Sequence, residues 1–281
     1  MSFHNLWGTQ GGTGYAATIG GGTVGRVAFK RTVLVARLER AGCVSAEEEA
    51  DDLLAAAGGD GEVLESFVAR RLTGEPLAWI IGSTLFCDLG VRISPGVYVP
   101  RWQTETIARR GLERLPPRGT ALEVCAGSGA IARVLMTERP GACVLASDID
   151  PVAVSCAALN GVDLYLGDLF DPFPPSIEGQ VDLVIGVVPY VPTPALAYLQ
   201  RDTFTFESPR SYDGGTDGLD IVRRVVRDAR RFLRPGGALI LELGGNQPVL
   251  LMDDLAGYLD HVVLHDEEGD ICGIEATLAT T

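Results

Sequence analysis

The segment from Ala121 to Ala132 constrains the fold more than any other part of the chain. A short apolar run containing Glu123 leads into the small-residue turn Cys125-Ala-Gly-Ser-Gly129 and then into a helix-like segment, 130–138. Glycines let a ligand approach the backbone closely, and the helix N-terminus beyond them presents free N–H groups. The pattern predicts the first strand, turn and helix of a parallel sheet that binds a nucleotide-like cofactor. An ordinary strand–turn–helix connection is the alternative interpretation.

From residue 118 onward, strand and helix patterns alternate, which predicts a mostly parallel α/β sheet. The predicted strands cover 121–125, 142–147, 162–166, 181–188, 238–243, 262–265 and 271–276. The predicted helices cover 129–138, 151–160, 219–233 and 247–259. Because no helix separates the last two strands, we expect the final strand to be antiparallel.

The preceding residues divide into three segments. Residues 1–28 are rich in Gly and Thr and are predicted to form a flexible tail. Residues 29–76 carry apolar residues at helical spacing, which predicts a small helical N-terminal domain. Residues 77–117 are predicted to form a β-hairpin and linker, with alternating apolar strands at 79–86 and 90–99. The sheet domain then covers 118–281.

Composition excludes several kinds of protein. The chain is 46% hydrophobic and 21% charged, which permits a substantial core. A net charge of -14 argues against direct nucleic-acid binding across the surface. The six cysteines are scattered and there are only three histidines, so neither a metal site nor a disulfide framework is expected. Without a membrane-length apolar run or a signal pattern, we expect a cytoplasmic protein that does not bind membranes.

Two further acidic residues stand at predicted strand ends. Asp148 follows the second strand, where a carboxylate can accept hydrogen bonds from both ribose hydroxyls. Asp150 is expected to cap the helix that starts at Pro151. Asp168 follows the third strand and can accept a hydrogen bond from an exocyclic amine such as that of adenine. Together with Glu123 and the glycine turn, these residues predict a cofactor site.

The order of these features favours S-adenosyl-L-methionine over NAD. A dinucleotide site calls for G-x-G-x-x-G without an acidic residue at Glu123, whereas an acid before the turn can meet, indirectly, the cationic amine of a methionine. The antiparallel last strand is typical of the methyltransferase variant, so we predict a Rossmann-like class I methyltransferase sheet. The predicted cofactor-binding residues are Glu123, Cys125, Gly127, Gly129, Asp148, Asp168 and Leu169.

The fourth strand ends in Gly186-Val-Val-Pro-Tyr190, beside the predicted cofactor crevice. Tyr190 is a candidate to pack against a planar group of the substrate. Packing of this tyrosine within its own loop is the alternative.

From about Arg31 to its C-terminus the chain resembles the HemK/PrmC-type methyltransferases, which methylate the side-chain amide of a glutamine in peptide-chain release factors. The matching motifs are 71–82, 99–105, 123–129, 213–219 and 241–247, with Asp148, Asp168 and Glu207. The resemblance implies a release factor with a Gly-Gly-Gln loop as partner. It also implies catalytic positions at Val187, Pro189 and Tyr190, and substrate-binding positions at Arg101, Val188 and Glu207.

The chain departs from the family's Asn-Pro-Pro-Tyr signature, since it has Val187-Val188-Pro189-Tyr190. The family's asparagine holds the glutamine amide, and a valine can neither donate nor accept a hydrogen bond. Cys125 also replaces the first glycine of the cofactor loop. Besides glutamine methylation, the sequence therefore leaves open a different, small-molecule acceptor or a non-catalytic cofactor-binding protein. An adenine-specific nucleic-acid methyltransferase is disfavoured by the acidic charge.

Overall fold

The computed structural model describes residues 24–199 and 205–280. Residues 1–23, most of the predicted flexible tail, lie outside this described part. The chain forms two compact units, of which one ends at Ser83 and the other begins at Thr84. Across the described residues, none of the helices is both long and apolar enough to cross a bilayer.

The first unit is helical. Its helices are α1 (Val24–Arg40), α2 (Ala46–Ala56), α3 (Gly61–Arg71) and α4 (Leu77–Ile81). Leu38, Leu53 and Val68 are fully buried and join the helices in one apolar cluster. The side chain of Asp60 caps α3 by accepting hydrogen bonds from two backbone N–H groups of its first turn. Helix α1 begins at Val24, inside the segment predicted to be a tail.

The hairpin is shorter than predicted at both ends. Its strands are β1 (Ser83–Phe86) and β2 (Leu89–Arg92), joined by Cys87 and Asp88 at φ 48° and 62°, as a two-residue type I′ turn requires. The strand predicted from residue 79 is helical up to Ile81, because a buried apolar run suits either periodicity. Gly82, at φ 80°, ends that helix.

The second unit contains a sheet with the strand order β5-β4-β3-β6-β7-β9-β8. The strands are β3 (Thr120–Val124), β4 (Cys143–Asp148), β5 (Leu164–Leu166), β6 (Val181–Gly186), β7 (Leu233–Glu242), β8 (Tyr258–His265) and β9 (Ile271–Leu278). Strands β3 to β7 pair in parallel, whereas β9 is antiparallel to both β7 and β8. The predicted α/β class, with its antiparallel final strand, is therefore confirmed.

Helices of this unit are α5 (Gln103–Arg114), α6 (Ala130–Glu138), α7 (Pro151–Leu159), α8 (Asp220–Phe232) and α9 (Gln247–Leu250). The core includes Phe232 of α8, whose ring stacks on that of Phe170 with centroids 5.1 Å apart. The helix predicted over 247–259 is wrong beyond Leu250. Leu251, Leu255 and Tyr258 are buried at helix-like spacing, but Gly257 turns at φ 92° and Tyr258 already pairs with Leu278 in the sheet.

Candidate active site

Acidic residues gather near the carboxyl ends of neighbouring strands of the sheet. Because β3, β4, β6 and β7 are parallel, their carboxyl ends point the same way. In this register Glu123 is paired with Ala146 of β4 and with Ile185 of β6. Asp148 ends β4 and Glu242 ends β7. Three strand ends therefore place acidic groups along the crevice edge of the sheet, where parallel α/β folds bind ligands.

The loop between β3 and α6 has the backbone shape that its glycines allow. Cys125, Gly127 and Gly129 have φ values of 56°, 56° and 72°. Cys125 therefore adopts the left-handed conformation that favours glycine, at a cost of roughly 1–2 kcal/mol. A Cβ added to Gly127 would have no atom within 4 Å, so a ligand can approach the backbone here.

This loop also contains an unsatisfied polar group. The Oγ atom of Ser128 is buried and has no hydrogen-bond partner within the described part of the chain. Burying a hydroxyl without a partner is unfavourable, and a polar ligand atom at the start of α6 would remove that penalty. The loop is therefore suited to a cofactor with polar groups.

Glu123 is almost completely buried, with 2% of its surface exposed. Its Oε2 atom accepts a hydrogen bond from the Ala132 N–H of α6 at 2.8 Å. Burial raises the pKa of Glu123 to about 8, and the nearby Asp148 carboxylate adds to the effect. A cationic ligand near this carboxyl would favour its ionised form.

Asp148 holds the cofactor loop through its carboxylate. Oδ2 accepts from the Gly127 N–H at 2.8 Å and Oδ1 from the Asp150 N–H at 2.9 Å. Each oxygen can accept one more hydrogen bond, which is what two ribose hydroxyls require. Burial raises the pKa of Asp148, opposed by these N–H donors. The predicted cap is confirmed, since Asp150 accepts from the Val152 N–H at 2.8 Å.

Asp168 has a partner that the sequence did not indicate. Arg224 of α8 donates to its Oδ2 atom at 2.7 Å, and both side chains are about two-fifths exposed. The next residue, Leu169, is buried with φ 49°. Its carbonyl accepts from the Ser147 Oγ at 2.6 Å, which ties the Asp168 turn to the end of β4.

The acceptor loop, residues 187–190, leaves the sheet earlier than predicted. Strand β6 ends at Gly186, where an added Cβ would lie 2.6 Å from the Val124 carbonyl oxygen. Val187 and Pro189 are partly exposed and Val188 is buried. The strand predicted over 181–188 is therefore two residues too long, and the valines belong to the loop.

Tyr190 is held at both ends by residues near the end of β7. Its hydroxyl donates to Oε1 of Glu242 at 2.9 Å. Its carbonyl accepts from the Nε2 of Gln247 at 2.7 Å. Sequence reasoning noted 241–247 as a family motif but gave neither residue a role. The available signal was an acid at the carboxyl end of an apolar strand.

Arg101 and Glu207, predicted to bind substrate, bind each other. Arg101 Nη2 donates to Glu207 Oε2 at 2.7 Å and to the Tyr212 hydroxyl at 2.9 Å. The other oxygen of Glu207 accepts from the Val99 N–H at 2.9 Å. Glu207 is buried, so these contacts connect the chain before α5 to the segment after the acceptor loop. A direct role in substrate binding stays a prediction.

Metal ligands do not cluster in the described residues, where no group of three or more His, Cys, Asp or Glu side chains could hold an ion. The acidic residues of the crevice are instead satisfied by N–H and O–H donors and by Arg224.

Sequence comparison identifies several methyltransferases as relatives of this chain. No protein-family model matches the chain. It is 37% identical over 210 residues to the release factor glutamine methyltransferase of Geobacter sulfurreducens, covering 72% of this chain and 73% of that protein. The corresponding protein of Streptomyces coelicolor is 35% identical over 201 residues, covering 66% and 70%. A 4-amino-L-phenylalanine/4-methylamino-L-phenylalanine methyltransferase of Streptomyces pristinaespiralis is 36% identical over 192 residues, covering 64% and 65%.

Replacing Asp148 tests the ribose role of this carboxylate. Asp148→Ala removes the acceptor for two loop N–H groups and for the ribose, so affinity for S-adenosyl-L-methionine should fall at least about tenfold. Isothermal calorimetry measures the affinity. Asp150→Asn is the matched control, because asparagine also caps helices and should leave affinity within about twofold. An unchanged affinity in Asp148→Ala would count against the role.

Replacing Glu123 tests its raised pKa. Between the ordinary pKa of 4.5 and the folded value of about 8, the folded protein binds this proton more tightly than the unfolded chain. Glu123 therefore makes the free energy of unfolding fall as pH rises through that window. Glu123→Gln should lack this part of the pH dependence in denaturant unfolding of the ligand-free protein. Equal pH slopes for both proteins would contradict the assignment.

Proposed function

We propose that this chain, which belongs to the release factor glutamine methyltransferase family, methylates the side-chain amide nitrogen of a glutamine in a protein. The supporting observation is its 37% identity to a named member over 73% of that protein's length. The chain is thus an S-adenosyl-L-methionine-dependent methyltransferase, as its sequence predicted. The bound cofactor supplies an electrophilic methyl group.

The crevice residues have distinct proposed roles in holding the cofactor. Asp148 accepts hydrogen bonds from the ribose hydroxyls, through the acceptor capacity that its two loop contacts leave. Asp168, steadied by Arg224, faces the adenine amine. The turn 125–129 and the hydroxyl of Ser128 receive the methionine end, with Glu123 behind the loop. These assignments are supported by the polar groups that converge on one edge of the sheet.

The acceptor loop then has to place the amide nitrogen in line with the methyl group. Transfer to a well-placed nitrogen needs no strong base, because most of the acceleration comes from proximity and orientation. Val187 cannot hold the amide by a hydrogen bond, and one missing neutral hydrogen bond costs on the order of 1–3 kcal/mol. We therefore expect slow transfer, with Pro189 and Tyr190 shaping the acceptor niche.

A release factor is the proposed partner, because the relatives from Geobacter sulfurreducens and Streptomyces coelicolor are named for that substrate. The net charge of this chain, -14, supports a protein rather than a nucleic acid as the methyl acceptor. Since translation is cytoplasmic, this partner would place the reaction in the cytoplasm. Because the relative from Streptomyces pristinaespiralis is an amino-acid methyltransferase, the test below also includes a small-molecule acceptor as an outcome.

The test combines one substrate with two variants of the loop. Wild-type protein incubated with methyl-labelled cofactor should label a release factor at the glutamine of its Gly-Gly-Gln loop, as measured by mass spectrometry. Val187→Asn should raise the rate roughly ten- to a hundredfold by restoring the amide contact. Val187→Leu is the matched control, since leucine has nearly the shape of asparagine but no polar atoms, and it should give no increase.

One outcome of this experiment would contradict glutamine methylation. If calorimetry shows cofactor binding while neither wild type nor Val187→Asn labels the factor, glutamine methylation is wrong. Labelling of an amino-acid amine under the same conditions would then support the small-molecule alternative. A release factor with that glutamine replaced by glutamate should remain unlabelled in every case.

A further inference from the structure

Tyr190 is fixed more completely than any other residue of the acceptor loop. Its hydroxyl is bound by Glu242, the last residue of β7, and its carbonyl is bound by Gln247, five positions further along the chain. Gly218 packs against the same carbonyl so closely that an added Cβ would lie 2.1 Å from the oxygen. The orientation of this tyrosine is therefore set by the end of β7 and the segment after it rather than by the loop itself.

Glu242 in turn is fixed to the body of the sheet. It is 2% exposed, and its two carboxylate oxygens have different partners. Oε1 accepts from Tyr190, and Oε2 accepts from the Thr104 hydroxyl of α5 at 2.5 Å. Hydroxyl bonds to an ionised carboxylate are stronger than bonds between neutral groups. The carboxylate thus connects the loop to α5 and β7 in the core.

We propose that Glu242 is a positioning residue for methyl transfer, acting on the acceptor through the Tyr190 hydroxyl. This inference rests on the proposed function. Val187 offers the acceptor amide no hydrogen bond. The placement of the amide in this loop therefore depends on the side chains of Tyr190 and of buried Val188. A tyrosine ring released from Glu242 would still leave the cofactor loop intact, since Asp148 binds that loop and Glu123 binds the first turn of the helix after it.

The proposal also predicts how the rate depends on pH. Ionised Glu242 can accept from both hydroxyls, whereas its protonated form must turn one contact into a donation. Burial raises the pKa of Glu242, while Arg101 and the two hydroxyl bonds lower it. The ionisable groups facing it are Tyr190 of the loop, Arg101 and Tyr98 before α5, and Cys272 of β9. We expect kcat to fall as pH decreases through the titration of Glu242.

The experiment compares Glu242→Gln, Tyr190→Phe and the double variant. If Glu242 acts through the hydroxyl, each single variant should lower kcat at least about tenfold, the value of a charge-assisted hydrogen bond. The double variant should be no slower than the slower single variant, because the residues act as a unit. The KM for the cofactor should stay within about twofold, and the acidic limb of the kcat profile should vanish in Glu242→Gln.

Glu275→Gln is the matched control, because Glu275 is an equally buried carboxylate of the same sheet. It contacts Arg110 and Arg114 of α5. This variant should unfold more easily than wild type but retain its kcat and pH profile. If Glu275→Gln loses as much kcat as Glu242→Gln, the loss in Glu242→Gln reflects general destabilisation of the fold. That result would overturn the proposal.

A second readout separates this inference from the proposed function. Hydrogen–deuterium exchange of residues 187–191 should increase in Glu242→Gln and in Tyr190→Phe but not in Glu275→Gln. This measurement needs no acceptor. If wild type transfers no methyl to a release factor, the proposed function fails, whereas unchanged exchange in both loop variants overturns the role of Glu242 whatever the acceptor is. Additive losses of kcat in the double variant would also overturn it.

Discussion

The parallel alignment of β3, β4, β6 and β7 is the constraint on which the site depends. It brings the carboxyl ends of these strands to one edge, so residues far apart in the chain become neighbours. Glu123 is the buried penultimate residue of β3, Asp148 ends β4 and Glu242 ends β7. Asp148 accepts a backbone N–H bond from the cofactor loop, Glu123 accepts one from the first turn of α6 that follows this loop, and Glu242 holds the acceptor loop through Tyr190. One sheet edge therefore fixes both loops.

Burial of these carboxyl groups has an electrostatic consequence. Desolvation raises the pKa of Glu123, Asp148 and Glu242, because each charged form loses solvation that its N–H or O–H donors only partly replace. An acidic crevice of this kind attracts a cationic ligand, and the sulfonium and amine of S-adenosyl-L-methionine carry positive charge. Ionisation of these carboxyl groups lowers the free energy of unfolding of the ligand-free protein as pH rises. The same groups are suited to binding a positively charged cofactor.

Sequence reasoning succeeded where the signal is local. The alternation of strand and helix patterns predicted the parallel fold, and the acids before a glycine turn and after apolar strands were correctly expected near the carboxyl ends of the strands. It missed contacts between distant residues, because hydrophobic periodicity carries no information on which side chains meet. Thr104 and Glu242 are 138 positions apart, and Asp168 and Arg224 are 56 apart. It also extended α9 beyond Leu250, since buried residues at helical spacing cannot be told from a turn that leads into a strand.

We propose that this sheet edge holds the cofactor with its methyl group facing the acceptor loop. A crystal structure with S-adenosyl-L-homocysteine and a Gly-Gly-Gln peptide tests it most directly. We predict the ribose hydroxyls on the Asp148 carboxylate, and the sulfur directed at a glutamine amide beside Val187 and Tyr190. A nucleoside bound away from Asp148, or a sulfur turned away from residues 187–190, would contradict the account.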